Sequence, residues 1–174
     1  MSSSYTHPPA DPEIASIIEQ LSGNLNELSE SFENFRSALE QGVTPGQLRG
    51  ITEEEYASLY KMAHQLCDQG EFHHARVIAL QLAFNNPVNA SYVFLAAACL
   101  QRTGQLQQAA LMYAMALDLD EDHAAAAYRA GECLLSLNKF TEARGMFEKS
   151  LDLSRGDFSR RELMLMAEKA LARL

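Results

Sequence analysis

Gln69-Gly70-Glu71-Phe72-His73-His74-Ala75 returns 34 residues later as Thr103-Gly104-Gln105-Leu106-Gln107-Gln108-Ala109, and 34 residues later again as Asn138-Lys139-Phe140-Thr141-Glu142-Ala143 behind Leu137. A period of this length is that of a helix–turn–helix unit that must stack on copies of itself to bury its apolar face. Three units align without gaps, at 56–89, 90–123 and 124–157. Each carries Gly70, Gly104 or Asn138 at its turn, residue types that accept the left-handed backbone that ends a helix. Each then places a large apolar residue two positions on (Phe72, Leu106, Phe140) and an alanine three further (Ala75, Ala109, Ala143). Upstream of the turns, Ala63, Ala97 and Gly131 are small enough to let two helices approach closely.

Working outward, Thr52 with Glu55 forms a capping-box pattern that starts the first repeat helix near residue 53. Gly42-Val43-Thr44-Pro45-Gly46 reads as a break before it. Before the break, Ile14, Ile18, Leu21, Leu25, Leu28, Phe32, Phe35 and Leu39 form one apolar stripe along a helix opened by Asp11-Pro12-Glu13. That stripe needs a partner, either the chain's own repeats or a second copy of the chain. In the second case Ile18, Leu21, Leu25, Leu28, Phe32 and Phe35 are the dimerisation residues and the protein is a homodimer. Behind the repeats, Ser159-Arg160-Arg161-Glu162 reads as another capping box, opening a last helix with Leu163, Met166, Ala167, Ala170 and Leu174 on one face. The expected organisation is a tail over 1–12, a helical arm and linker over 13–50, a repeat domain over 51–157 and a capping helix over 158–174. The class is all-α.

Composition narrows the function. The net charge is −9 and no Lys/Arg-rich run occurs, so nothing drives binding to nucleic acid. No apolar stretch is long enough to span a membrane, and the first residues lack a signal-peptide pattern, which points to the cytoplasm. Cys67, Cys99 and Cys133 are odd in number and widely spaced, as reduced core residues are. His64 and Cys67 with His73-His74 make an incomplete metal set, so no metal is expected. Glu53-Glu54-Glu55 suits a helix N-terminus. With no phosphate loop and no nucleophile–base set, neither a cofactor nor enzymatic catalysis is expected.

The turn sequences resemble those of tetratricopeptide repeats, and Pro87 stands where that family has its terminal proline. Stacked helix pairs of this kind curve into a superhelix whose first helices line a concave groove. The inward positions are the fifth, ninth and twelfth of each unit: Tyr60, His64 and Cys67; Phe94, Ala98 and Gln101; Tyr128, Glu132 and Leu135. The lining is mostly apolar and aromatic. It holds no lysine or asparagine at these places, unlike clamps for acidic chaperone tails, and suits an extended apolar segment whose backbone Tyr60, Tyr128 and Gln101 could bond.

Leu59-Tyr60, Ala96-Ala97-Ala98-Cys99 and Ala130-Gly131-Glu132-Cys133-Leu134-Leu135, together with the helical arm, resemble the class II chaperones of bacterial type III secretion over about residues 15–155. The resemblance implies a small acidic cytoplasmic protein that holds two hydrophobic translocator clients by a segment laid in the groove. It assigns peptide contact to Tyr60, His64, Cys67, Phe94, Ala98 and Tyr128. The family commonly has aromatic residues where this chain has His64 and Cys67, so the first pocket departs from the family's. A general repeat scaffold for a pilus, envelope or regulatory complex is the alternative.

Overall fold

The computed structural model describes residues 41–174. The arm, with Ile18, Leu21, Leu25, Leu28, Phe32 and Phe35, lies outside them. Among the described residues the chain forms helices and turns only: α1 (Pro45–Leu48), α2 (Glu53–Asp68), α3 (Phe72–Asn85), α4 (Ala90–Arg102), α5 (Leu106–Leu119), α6 (Ala124–Ser136), α7 (Phe140–Ser154), a single 3-10 turn (Phe158–Arg160) and α8 (Arg161–Leu171). The pairs α2/α3, α4/α5 and α6/α7 are the three repeats, and each helix packs chiefly on those adjacent to it in sequence.

Local chemistry sets the boundaries. Thr52 and Glu55 form the expected reciprocal cap, with Glu55 Oε2 accepting from the Thr52 amide at 2.8 Å. Gly70, Gly104 and Asn138 have φ of +81°, +80° and +59°, so all three repeat turns use the left-handed backbone. A side chain without a polar reach pays for that conformation with about 1–2 kcal/mol. Gly104→Ala is therefore expected to lower stability by about 1 kcal/mol in urea titration. Asn138→Gly should leave stability unchanged or slightly higher.

Two local expectations differ. The stretch read as a break contains α1, because Thr44 caps it reciprocally with Gln47 and a proline fits the first helical position. The capping box at Ser159 does not form. Instead Asp157 accepts from the Ser159 amide and hydroxyl at 2.9 and 2.6 Å, which closes the 3-10 turn, and α8 starts at Arg161 with no side-chain cap.

Small residues bring the helices together: Ala63, Ala75, Ala97, Ala109 and Ala143 are completely buried. At Gly131 an added Cβ would lie 2.7 Å from the fully buried ring of Phe147, so the Phe147 side chain of α7 packs directly on the α6 backbone at that point. Beyond the third pair, Ala167 of α8 is buried with Tyr128, Ala143 and Phe147, and Leu163, Met166, Ala170 and Leu174 pack around this second cluster.

Candidate functional site: a groove across three helix pairs

Inward side chains of α2, α4 and α6, joined by Phe72 of α3 and Tyr113 of α5, enclose an open cavity of about 500 Å3. Of the nine residues expected to line a groove, seven meet here: Tyr60, His64, Cys67, Phe94, Ala98, Gln101 and Glu132. Helical spacing explains this, since positions three and four apart share a face. Tyr128 and Leu135 are not brought to this cavity. Tyr128 is only 8% exposed, its ring centroid 5.5 Å from that of Phe147, and Leu135 packs in the same cluster. The physical reason is α8, whose apolar face packs into that cluster beside both residues.

The aromatic lining is arranged in register. The Tyr60 ring meets His64 edge-on at 4.6 Å and leans on Tyr92 at 5.4 Å. One repeat later Phe94 sits between Tyr113, edge-on at 5.3 Å, and His123, stacked at 4.6 Å. The Phe94–Tyr113 pair and the Tyr128–Phe147 pair occupy equivalent places, 34 residues apart. In the first repeat the partner position is Ala79, which leaves Tyr60 without a ring from its own second helix. Burial, chiefly, holds the His123 imidazole below its ordinary pKa, with the Asp120 charge opposing, so the ring stacked on Phe94 is neutral at neutral pH.

A polar band crosses the floor. Tyr113 donates its hydroxyl to Gln101 Oε1 at 2.8 Å, Gln101 Nε2 faces Glu132 Oε2 at 3.4 Å, and Arg129 Nη1 donates to the same carboxylate oxygen at 2.8 Å. Burial pushes the Tyr113 phenol far above its ordinary value, so it remains a donor. Gln101 is thus already committed at both ends and braces repeat two against repeat three. Gln101→Leu strands the Tyr113 hydroxyl, and thermal unfolding should report a loss of about 1–3 kcal/mol.

Sequence reasoning missed Phe72, Leu95, Arg102, Tyr113 and Arg129, which also line the cavity. Tyr113 carried a signal, as an aromatic at the place taken by Ala79 one repeat earlier. The two arginines border the cavity from outside the nine inward positions: Arg129 is paired with Glu132, and Arg102 lies 4.2 Å over the Phe72 ring. Cys67 is half-buried on the wall, its Sγ 3.6 Å from that of buried Cys99. Burial and then the neighbouring Cys67 push the Cys99 thiol up to about 12. Among the described residues no cluster of His, Cys, Asp and Glu is placed to hold a metal ion, and no helix is long and apolar enough to cross a membrane.

Residues 68–150 match the family model described as anaphase-promoting complex, cyclosome, subunit 3. The chaperone protein SicA of Salmonella typhimurium is 29% identical over 111 residues, 64% of this chain and 67% of SicA. Among solved structures, the Yersinia enterocolitica type III secretion translocator chaperone SycD superposes with a TM-score of 0.69 at 21% identity, over 75% of this chain and 98% of that one. PcrH of Pseudomonas aeruginosa superposes with a TM-score of 0.68 at 25% identity, over 72% and 96%. Both neighbours are also known in complexes, SycD with a peptide of the translocator YopD and PcrH with the chaperone binding regions of PopB and of PopD. By sequence the chain is a homologue of SicA, and by fold it is a tetratricopeptide-repeat neighbour of the translocator chaperones SycD and PcrH.

Proposed function

We propose that this protein is a type III secretion chaperone that holds hydrophobic translocator proteins by an extended segment in its groove, in the bacterial cytoplasm and without catalysis. One observation carries the reading: Tyr60, His64, Cys67, Phe94 and Ala98, drawn from two repeats, converge on one open, mainly apolar cavity in a homologue of SicA. SycD, which shares the fold, has been captured with a peptide of the translocator YopD, and PcrH with the chaperone binding regions of PopB and of PopD.

The physics suits the task. Translocators carry apolar segments that aggregate in water, and shielding one of them needs binding energy but no nucleotide. A chain of net charge −9 keeps such a complex soluble. Tyr60, Phe94 and Ala98 supply apolar anchoring sites, and the polar band from Tyr113 to Arg129 gives the segment's backbone or polar side chains a place to bond. The apolar stripe of the arm is the proposed surface for a second copy of the chain.

Co-expression with a candidate type III translocator pair tests the reading. A soluble complex that co-purifies supports it. Translocators that remain insoluble, and do not bind when presented as peptides, would sink it in favour of a general scaffold.

A further inference from the structure

Cys67 and Cys99 belong to different repeats, yet their sulfurs lie 3.6 Å apart where α2 meets α4. Nothing in the groove reading uses this proximity. Cys133 is buried one repeat further on and is the remaining cysteine of the chain. We propose that Cys67 and Cys99 form a peroxide-oxidisable dithiol that closes to a disulfide and pins the first repeat to the second beneath the groove.

Position assigns the two roles. Cys67 is half-buried and lines the open cavity beside Tyr60 and His64, so a small hydroperoxide can reach its sulfur from solvent. Cys99 is fully buried, with its sulfur against that of Cys67 and no surface open to solvent. Burial keeps the Cys99 thiol protonated, with its pKa pushed up to about 12, which makes it a poor first target for oxidant.

In the first step the Cys67 thiolate attacks one oxygen of the hydroperoxide and the O–O bond breaks. The Cys67 sulfenic acid forms and an alcohol leaves, or water when the oxidant is hydrogen peroxide. In the second step the Cys99 sulfur attacks the sulfenic sulfur, the S–O bond breaks, and hydroxide departs with the thiol proton as water. Two electrons pass from two thiols to one peroxide. The sulfurs must approach by about 1.5 Å to reach bonding distance, within the range of a side-chain rotation. The product removes the Cys67 thiol from the groove wall and fixes the angle between repeats one and two.

The test uses the full-length wild-type chain, reduced, desalted and treated with hydrogen peroxide, then denatured in excess maleimide. The expected product is a monomer two hydrogens lighter, with one maleimide on Cys133 and peptide mapping that joins Cys67 to Cys99. Its melting temperature should rise by roughly 5–10 °C and return with dithiothreitol, because the link closes a loop in the unfolded chain. In Cys99→Ser the intermediate should persist, so a dimedone adduct should appear on Cys67. The proposal is overturned if peroxide drives Cys67 to sulfinic acid while Cys99 stays free, if the bridge involves Cys133, or if the link runs between chains.

Discussion

Ala98→Phe is expected to weaken client binding by at least roughly 30-fold while leaving the fold in place. Ala98 is half-buried on the wall of the cavity, between Tyr60 on one repeat and the Gln101–Glu132 band on the next. A phenyl ring at this position would occupy space that the core does not use, so it fills the groove without displacing the buried alanines behind it. Anchoring an extended segment depends on empty apolar pockets. Loss of a central pocket is worth about 2–4 kcal/mol at such interfaces, or at least roughly 30-fold in affinity. The check is titration of a labelled translocator segment, paired with a melting curve that should move by no more than a few degrees. Truncation of Phe94 is the less clean experiment. Its ring also packs on Tyr113 and His123, so removing it weakens the fold together with the site.

Gly131→Leu should have the largest effect on stability. A helix-interior glycine ordinarily costs about 1 kcal/mol relative to alanine, so a replacement begins with a gain. That gain is overwhelmed here. Even a Cβ would stand 2.7 and 2.8 Å from two atoms of Phe147, a ring with no exposed surface that also abuts Tyr128. Relief requires α6 and α7 to separate, which opens the second apolar cluster under α8. Overpacking of this kind costs about 1–3 kcal/mol for a few methylenes, and a whole leucine in a backbone contact should exceed about 3 kcal/mol net. For a chain of this size that lowers the melting temperature by roughly 6–12 °C. Because the damage lies in the third pair, Tyr60 and Phe94 should retain much of their geometry in the part that stays folded.

These two residues also show what the sequence made legible. Gly131 falls in a column with Ala63 and Ala97, and periodicity alone marks that column as a helix contact; so too the left-handed turns at Gly70, Gly104 and Asn138 were readable from residue type and interval. Ala98 and six other groove residues could be placed because one helix carries each set of them, and helical spacing alone orients a single face. Tyr113 could not be placed in this way. It reaches the floor from the second helix of its pair, and its role depends on how closely α4 and α5 approach. Arg102 sits in the last turn of α4, where a cation also complements the helix dipole, so its position over Phe72 had no sequence signature. Tyr128 and Leu135 satisfy the same spacing as their counterparts but have lost the cavity to the terminal helix, and no local pattern shows what a distant segment covers.

Packing of each helix mainly on its immediate sequence neighbours has a consequence for how the protein is made. Among the described residues no helix must wait for a distant stretch of chain, so contact order there is low and folding can proceed at the pace of synthesis. The walls carrying Tyr60 and Phe94 are complete once the second pair has left the ribosome, before α8 exists. On the proposed function, the groove can thus take up cargo while the last helix is still being translated.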